Sequence, residues 1–243
     1  MKIGIISDIH SNLEALEKVY RELEKEVDEI YCLGDIVGYG PNPNECIKYL
    51  RHFKFTVLGN HDAAVVGIRD YNDFNASAQF AIEWTINNIT PENFQKLQRL
   101  KLRIDESSYY LVHGSLREPT DEYLINYYSV LANFELMEKK LCFFGHSHLA
   151  GAFVFSGRDR DIYYVSFTND GEIKIEEGYK YLINPGSVGQ PRDGNWKASF
   201  GIFDTQKKVL QVKRVEYDVV SIQRKMQLLG FPSHLWERLQ YGR

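Results

Sequence analysis

The chain has 243 residues, 44% of them hydrophobic, and a formal net charge of −4 at pH 7. This is enough apolar sequence for a core without disulfide or metal support, and the lack of a basic stripe argues against extended nucleic-acid binding. Cys32, Cys46 and Cys142 are odd in number and lack metal-binding spacing, which indicates a reducing compartment. Because residues 3–6 form too short an apolar run for a signal peptide and no later run approaches a membrane span, we expect a soluble, cytoplasmic protein.

The first part of the chain alternates apolar runs with helical patterns. Apolar runs predict buried strands at residues 2–7, 29–33 and 55–58. A helical pattern begins at Leu13, where Ser11 and Glu14 offer a capping box, and a second helix is predicted over residues 44–52. Strands joined in succession by helices form a parallel sheet, in which ligands bind beyond the carboxyl ends of the strands.

The later part of the chain changes character after Ala150. Before it, helices are predicted over residues 75–99 and 122–139, and further strands over residues 109–112 and 141–144. After it, short runs separated by turn residues predict a mostly antiparallel arrangement, with strands at residues 153–155, 162–167, 173–177, 181–184, 199–203 and 209–217. A final helix begins at the predicted cap Asp218, and we expect a single domain, residues 1–243, built on two sheets.

Polar residues with metal-binding side chains follow five of the predicted strands. The set contains five of the seven histidines and consists of Asp8, His10, Asp35, Asn60, His61, His113, His146 and His148. In Asp8-x-His10 and in His146-x-His148, a spacing of two would place both side chains on one face of an extended backbone. Each short motif alone is as readily explained by a cap or a turn, but the ordered set is not.

The chemistry of these donors favours a transition-metal centre. Carboxylate, amide and imidazole ligands without thiolate suit Mn²⁺, Fe, Zn²⁺ or Ni²⁺ rather than Ca²⁺. Eight donors are too many for one ion. Two ions roughly 3.5–4 Å apart, bridged by a carboxylate and a hydroxide, would use them and would suit attack on a phosphoryl group.

The order and spacing of the motifs resemble those of the calcineurin-like metallophosphoesterases. The matching motifs are Asp8-x-His10, Gly34-Asp35, Gly59-Asn60-His61-Asp62, His113-Gly114 and Gly145-His146-x-His148. Residues 7–12, 33–41 and 184–192 are similar to the small prokaryotic phosphodiesterase branch of that superfamily, and the resemblance covers essentially the whole chain. It implies an α/β fold, the metallo-dependent phosphatase fold, in which two mixed sheets flanked by helices form a four-layer α/β/β/α sandwich.

The resemblance also implies a role for each residue of the set. The first metal would be bound by Asp8, His10 and His148, the second by Asn60, His113 and His146, with Asp35 bridging the two. His61 would stand outside the metal ligands and protonate the leaving group, with a metal-bridging hydroxide as the nucleophile. From adjacency alone we expect Asp62 to orient His61, although it could instead cap the chain that follows.

Several residues near the motifs allow two interpretations. Asn12 could contact substrate or only cap a helix, and Arg192 could bind a phosphate oxygen or be a solvated turn residue. The loop at Tyr39 could shape the pocket or merely turn the chain. Tyr123, Tyr127 and Tyr128 could stack on a nucleobase, but aromatic residues at helical spacing more often belong to the core.

We therefore expect a dimetal-dependent hydrolase, a phosphodiesterase or phosphatase acting on a small phosphodiester, a phosphomonoester or a nucleotide. The branch similarity implies a sharper alternative, which is hydrolysis of a dinucleoside polyphosphate such as diadenosine tetraphosphate. A non-enzymatic alternative is a binding scaffold that keeps the fold, as the retromer scaffold subunit of the superfamily does, and the complete set of ligands with His61 argues against it. The expected cofactors are two divalent transition-metal ions, manganese first, with iron, zinc, nickel or cobalt as alternatives. We expect a small phosphate ester as the partner and no association with a membrane. The oligomeric state is left open, and a homo-oligomer is one of the possibilities.

Overall fold

The computed structural model describes residues 1–159 and 161–243. The strands, in chain order, are β1 (Lys2–Ile6), β2 (Glu29–Cys32), β3 (Phe55–Thr56), β4 (Arg103–Asp105), β5 (Tyr109–Val112), β6 (Leu141–Phe143), β7 (Gly151–Ser156), β8 (Asp161–Ser166), β9 (Gly171–Lys174), β10 (Tyr179–Asn184), β11 (Ala198–Asp204) and β12 (Val209–Val215). They form two six-stranded sheets, with the strand orders β3-β2-β1-β11-β12-β9 and β4-β5-β6-β10-β7-β8. Both sheets are mixed, because β1, β2 and β3 run parallel, as do β5, β6 and β10, and the other neighbours are antiparallel.

The helices cover the outer faces of the two sheets. In chain order they are α1 (Leu13–Leu23), α2 (Pro43–Ile47), α3 (Asn60–Val65), α4 (Ala76–Asn88), α5 (Pro91–Gln98), α6 (Tyr127–Leu136), α7 (Val219–Leu228) and α8 (Ser233–Glu237). Short 3-10 turns follow α2, at Lys48–His52, and α8, at Arg238–Gln240. The predicted four-layer sandwich of two mixed sheets flanked by helices is confirmed.

Alternating side chains on the strands divide the core between the layers. On β1, Ile3 and Ile5 are buried between the two sheets, whereas Ile6 packs with the helices on the other face. On β10, Tyr181 faces the other sheet, and Leu182 packs in the cluster that contains Phe134 of α6. Both faces of these strands are covered, which explains why residues 3–6 of β1 and residues 181–183 of β10 are apolar.

The structure corrects several local predictions. The residue that caps α1 is Asn12, whose Oδ1 accepts a hydrogen bond from Ala15 N at 3.1 Å, and not Ser11. The helix predicted over residues 122–139 is reduced to α6 because Asn126 caps it, with Oδ1 accepting from Ser129 N at 3.0 Å. Strand β4 was not predicted, and residues 60–62 lie in the first turn of α3.

Among residues 1–159 and 161–243, no helix combines the length and the apolar character needed to cross a bilayer.

Candidate metal centre

The predicted ligands meet at the carboxyl ends of the parallel strands. Asp8 and His10 follow β1, Asp35 follows β2, and His113 follows β5. The remaining members lie at the start of α3 and after β6, and the whole set comprises Asp8, His10, Asp35, Asn60, His61, His113, His146 and His148, all of them buried. Two different sheets thus supply one cluster of polar side chains.

The backbone at this edge is not extended, which corrects our explanation of the paired motifs. Asp8 and His10 have φ angles of 54° and 49°, and His146 and His148 have φ angles of 65° and 61°. Non-glycine residues adopt this left-handed conformation at an energetic cost, and such residues concentrate at functional sites. Both members of each pair therefore adopt left-handed backbone and do not alternate along a strand; Asp8 and His10 belong to one ligand group, whereas His146 and His148 belong to different ones.

The cluster divides into two groups that share Asp35. In the first, Asp8, His10, Asp35 and His148 offer one ligand atom each, all within 4.8 Å of one another. In the second, Asp35, His113 and His146 do the same. Asp35 Oδ2 lies 3.5 Å from His10 Nε2 and 3.3 Å from His113 Nε2, which is the position of a carboxylate that bridges two centres.

The first group has a shape that suits a cation. His10 Nδ1 lies 3.1 Å from the Val37 carbonyl oxygen and His148 Nδ1 lies 2.6 Å from that of Gln190, so each Nδ1–H donates to the backbone. Burial lowers the pKa of both imidazoles well below the usual value, and each Nε2 therefore carries a lone pair instead of a proton. The two Nε2 atoms nevertheless face each other at 3.0 Å. Such an approach repels unless a cation is shared between them, so these residues fit a metal ion.

A carboxylate oxygen beside these two histidines is also without a partner. Within the described part of the chain, Asp8 Oδ2 is buried and accepts no hydrogen bond, while Asp8 Oδ1 lies 3.5 Å from His148 Nε2 and accepts from the His146 backbone amide at 3.1 Å. Burial raises the pKa of Asp8 to about 7. A divalent cation would satisfy this oxygen and favour its charged form.

The second group is oriented by the same kind of contact. His113 Nδ1 lies 2.8 Å from the Leu33 carbonyl oxygen, and its Nε2 lies 3.0 Å from Asn60 Oδ1. His146 uses its other nitrogen, because Nε2 donates to the Asp121 carbonyl oxygen at 3.1 Å and leaves Nδ1 free. Two imidazole nitrogens and an amide oxygen therefore converge beside Asp35.

Asp35 sets the charge state of the second group. Burial acts to raise the pKa of Asp35, but the neighbouring His113 and His61 outweigh it and hold that pKa well below the usual range. Burial likewise acts to lower the pKa of His113, but the Asp35 carboxylate outweighs it and raises that pKa to about 9. In the absence of a cation a proton therefore occupies this position, and a metal ion would displace it.

His61 lies beside the two groups but is not a member of either. Its side chain is 3% exposed, and its ring centroid lies 4.9 Å from that of His10 and 4.5 Å from that of Tyr39. Among the described residues, His61 Nδ1 has no hydrogen-bond partner. Burial lowers the pKa of His61 to about 4, so the imidazole is neutral until an anion approaches it.

Asp62 does not bond to the His61 imidazole, contrary to our expectation. Its Oδ1 accepts from the Val37 amide at 3.0 Å and its Oδ2 accepts from the Gly59 amide at 3.1 Å. Consecutive residues on a helix point in different directions, so the side chain of Asp62 turns back toward the start of α3. Asp62 therefore caps this helix, which is the alternative that the sequence left open. It also fixes the loop that carries Val37.

The motif at residues 184–192 supports the loop that carries the first ligands. Ser187 Oγ donates to the Asp8 carbonyl oxygen at 2.8 Å, and Gly189 N donates to the same oxygen at 2.9 Å. Asn12 completes this contact, because its Nδ2 donates to the Gly189 carbonyl oxygen at 2.8 Å. Both polar atoms of Asn12 thus act within the protein, which favours its structural role, and its contact with substrate stays a prediction.

Arg192 lies at the edge of the centre. Its Nη2 and Nε donate to Gln190 Oε1 at 2.9 and 3.3 Å, and its Cζ lies 5.6 Å from the centre of the Tyr39 ring. Its positive charge contributes to the lowered pKa of His10 and of His61. A role for Arg192 in binding a phosphate oxygen stays a prediction.

Two aromatic residues contact histidines of the centre more closely than the sequence indicated. Tyr39 packs against the rings of both His10 and His61. Tyr123 stacks on His146 with ring centroids 3.8 Å apart, and it is 44% exposed, so the interpretation as a core residue was wrong. Tyr127 and Tyr128 are also exposed. The feature of the sequence that pointed to Tyr39 was its loop, which directly follows Asp35.

Two mixed sheets are flanked by helices, and carboxylate and imidazole side chains that could hold metal ions gather at the carboxyl ends of the strands. This combination defines a class of α/β proteins with a candidate metal centre at the edge of the sheets. Comparisons with known proteins narrow this class. Residues 1–208 match the model of the calcineurin-like phosphoesterase superfamily domain. The chain therefore belongs to the calcineurin-like phosphoesterase superfamily, whose members typically depend on two metal ions.

Three similar proteins illustrate the range of the relationship. The uncharacterized protein MJ0912 of Methanocaldococcus jannaschii is 41% identical over 249 residues, which cover 99% of this chain and 98% of that protein. The crystal structure of a metallophosphoesterase from Sphaerobacter thermophilus is 38% identical, covers 100% of both chains and has a TM-score of 0.89. The symmetrical bis(5'-nucleosyl)-tetraphosphatase of Actinobacillus pleuropneumoniae is 26% identical over 127 residues, which cover 48% of this chain and 46% of that enzyme.

Proposed function

We propose that this protein is a two-metal phosphodiesterase or phosphatase that hydrolyses a small phosphate ester. The observation that carries the proposal is the pair of ligand groups that share Asp35. Two bound cations would neutralise charge on a phosphoryl group and activate a water molecule for attack on it. Manganese is the cation we propose first, because nitrogen and oxygen donors without thiolate accept it readily.

The residues of this chain have separable tasks in that reaction. Asp8, His10 and His148 would hold one cation, Asn60, His113 and His146 the other, and Asp35 would bridge them. His61 is neutral and buried, and the approach of a phosphate anion raises its affinity for a proton. It would then donate a proton to the leaving-group oxygen, while Arg192 attracts the phosphate.

The proposal is tested by stripping and restoring metal. We expect chelator-treated protein to be inactive toward bis(p-nitrophenyl) phosphate and Mn²⁺ to restore turnover. The Asp35→Asn variant should stay inactive after the same treatment, since a neutral amide cannot bridge two cations in place of a carboxylate. Absence of turnover with Mn, Fe, Co, Ni and Zn ions on a broad panel of phosphate esters would refute the proposal.

A dinucleoside polyphosphate is a second candidate substrate. It is supported by the partial similarity to the bis(5'-nucleosyl)-tetraphosphatase, which covers about half of each chain. Incubation of the manganese-loaded protein with diadenosine tetraphosphate, followed by chromatography of the products, tests it. Intact substrate after prolonged incubation, under conditions that hydrolyse bis(p-nitrophenyl) phosphate, would count against it.

The alternative that is not an enzyme is a catalytically silent binding scaffold. A scaffold that has lost catalysis needs neither converging ligands nor a histidine beside them, yet this chain holds both. The metal-restoration experiment distinguishes the two, because a scaffold would bind metal without turnover.

A further inference from the structure

Strand β8 lies at an open edge of the second sheet. The order β4-β5-β6-β10-β7-β8 gives it a neighbouring strand on one side only, within the described part of the chain. With six residues it is the longest edge strand, since β3 has two, β4 three and β9 four. Residues Asp161–Ser166 contain one charged side chain, that of Asp161, and no lysine, arginine or proline. Edge strands are usually protected by lysine, proline, a bulge or a short length, so β8 is open to pairing.

The hydrogen bonds to β7 show which backbone groups of β8 face the open side. Directly after the strand, Phe167 N donates to the Ala150 carbonyl oxygen at 3.0 Å, in continuation of the β7–β8 register. In an antiparallel pair every second residue bonds to the neighbouring strand, so the odd-numbered residues of β8 bond to β7. The N–H and C=O groups of Ile162, Tyr164 and Ser166 therefore point away from β7, toward the open side.

The amide of Ile162 indicates the same direction. It donates to the side chain of its own neighbour, at Asp161 Oδ1, at a distance of 2.9 Å. Among residues 1–159 and 161–243, no group outside the sheet bonds to the backbone of Tyr164 or Ser166. Such a row of open N–H and C=O groups is a template for another strand, which repeats the same two groups at the same spacing.

The outward-facing residues are matched when β8 pairs with a copy of itself. In an antiparallel pairing with Tyr164 opposite Tyr164 of a second copy, Ile162 lies opposite Ser166. Every outward-facing residue then exchanges hydrogen bonds with another outward-facing residue. On the other face of the sheet the same register places Tyr163 opposite Val165, so the side chains that meet there are both largely apolar.

Exposure and charge also favour this pairing. Tyr163 and Tyr164, on opposite faces of the sheet, are 47% and 45% exposed, so both faces offer aromatic surface at the middle of the strand. Asp161, the one charged residue, stands at the beginning of the strand. Antiparallel pairing therefore keeps the two Asp161 carboxylates at opposite ends of the paired strands, and no like charges lie opposite each other.

We infer that β8 is a dimerisation strand, which pairs antiparallel with β8 of a second copy of this chain about a two-fold axis at Tyr164. The second sheets of the two copies then form one continuous sheet, joined by roughly six backbone hydrogen bonds. On pairing, the Ile162 amide exchanges the Asp161 carboxylate for the carbonyl oxygen of Ser166 in the second copy. The inference is independent of the proposed function, because no residue of the metal centre takes part.

The first test measures the mass of the full chain in solution by analytical ultracentrifugation. Wild-type protein should form a dimer of the 28.3 kDa chain at concentrations up to about 100 μM. Tyr164→Pro removes one outward-facing donor from each copy and should raise the dissociation constant at least about tenfold. The same change should leave the monomer folded, as measured by circular dichroism, because the lost N–H does not bond to β7.

Two further variants serve as controls for Tyr164→Pro. Tyr164→Thr also removes the aromatic ring but keeps the N–H, so it should weaken the dimer less. Leu228→Lys changes an exposed apolar residue on α7 and should leave the dimer unchanged. Monomeric wild-type protein at every concentration, an unaffected dimer in Tyr164→Pro, or equal weakening by proline and threonine would each overturn the inference.

A cross-link tests the register without relying on the proline variant. In Tyr164→Cys the two new thiols should lie about 5 Å apart, within reach of a short bifunctional thiol reagent. The native thiols should not react, because all three are buried and burial raises the pKa of each, namely Cys32, Cys46 and Cys142. Leu228→Cys is the matched control and should stay uncrosslinked. Failure of Tyr164→Cys to cross-link, or equal cross-linking of the two variants, would contradict the pairing.

Discussion

The Asp35 carboxylate lies directly against Gly59. A Cβ atom added to Gly59 would be 2.1 Å from Asp35 Oδ1, closer than side-chain carbons approach any atom in a folded protein. The same oxygen accepts from the His61 amide at 2.9 Å, so the start of α3 is built around this carboxylate. Glycine is required here for close approach, and not for backbone conformation.

We expect Gly59→Ala to displace Asp35 and to lower both stability and metal binding. Overpacking of this kind costs about 1–3 kcal/mol of unfolding free energy. Urea unfolding and metal content by mass spectrometry measure the two effects. Gly157→Ala is the matched control, since its nearest neighbour would lie 3.4 Å away, and it should change neither quantity. Wild-type metal content in Gly59→Ala would contradict the prediction.

Removal of the shared carboxylate should affect both cations together. In Asp35→Asn we expect the manganese content to fall by more than one ion per chain, because each ligand group loses its common member. The rise in melting temperature that Mn²⁺ gives to wild-type protein should disappear as well. Asp73→Asn, at an exposed position, is the control. Loss of a single ion would show that Asp35 serves only one group.

Substitution of His61 should separate catalysis from metal binding. In His61→Asn we expect turnover of bis(p-nitrophenyl) phosphate to fall by roughly 10²–10⁴-fold, the usual contribution of a general acid. Manganese content should remain that of the wild type, because His61 belongs to neither ligand group. Parallel loss of metal and activity would instead identify His61 as a ligand.

Metal affinity should increase with pH. Neighbouring Asp35 raises the pKa of His113 to about 9, and burial raises the pKa of Asp8 to about 7, so metal-free protein holds protons that cations must displace. Below these pKa values the ligands are protonated, and each displaced proton weakens binding about tenfold per pH unit. Competition titrations with Mn²⁺ between pH 6 and 9 should show the affinity rising throughout, and a constant affinity would contradict the assignment.

A buried ion pair holds the loop that carries Arg192. The side chains of Arg214 and Asp193 are 2% and 7% exposed, and Arg214 Nη1 donates to Asp193 Oδ1 at 3.3 Å. Asp193→Asn leaves a buried guanidinium without its counter-ion and should destabilise the protein by about 3–5 kcal/mol in urea unfolding. Glu216→Gln breaks the exposed pair with Lys197 and should cost under about 1 kcal/mol. Similar costs for the two variants would refute this distinction.

Much of the fold followed from local patterns. Apolar runs marked β1, β2, β5 and β6, and polar residues directly after them marked the edge where ligands gather. The cap at Asp218 was equally local, since a capping side chain bonds an amide only two or three residues away. Strand β4 was not predicted because only one of its three residues is apolar. Its strand conformation depends instead on hydrogen bonds to its partner β5.

The sequence by itself determined which residues supply the donors and in what order the strands present them, because strand period, polar clusters and turn residues are properties of neighbouring positions. Only the tertiary structure decided how these donors are used. It gave His146 the opposite ring nitrogen from His10, because the Asp121 carbonyl oxygen takes its Nε2, and it turned Asp62 away from His61. Each of these depends on a contact between residues far apart in the chain, which only packing of the two sheets and their loops can create.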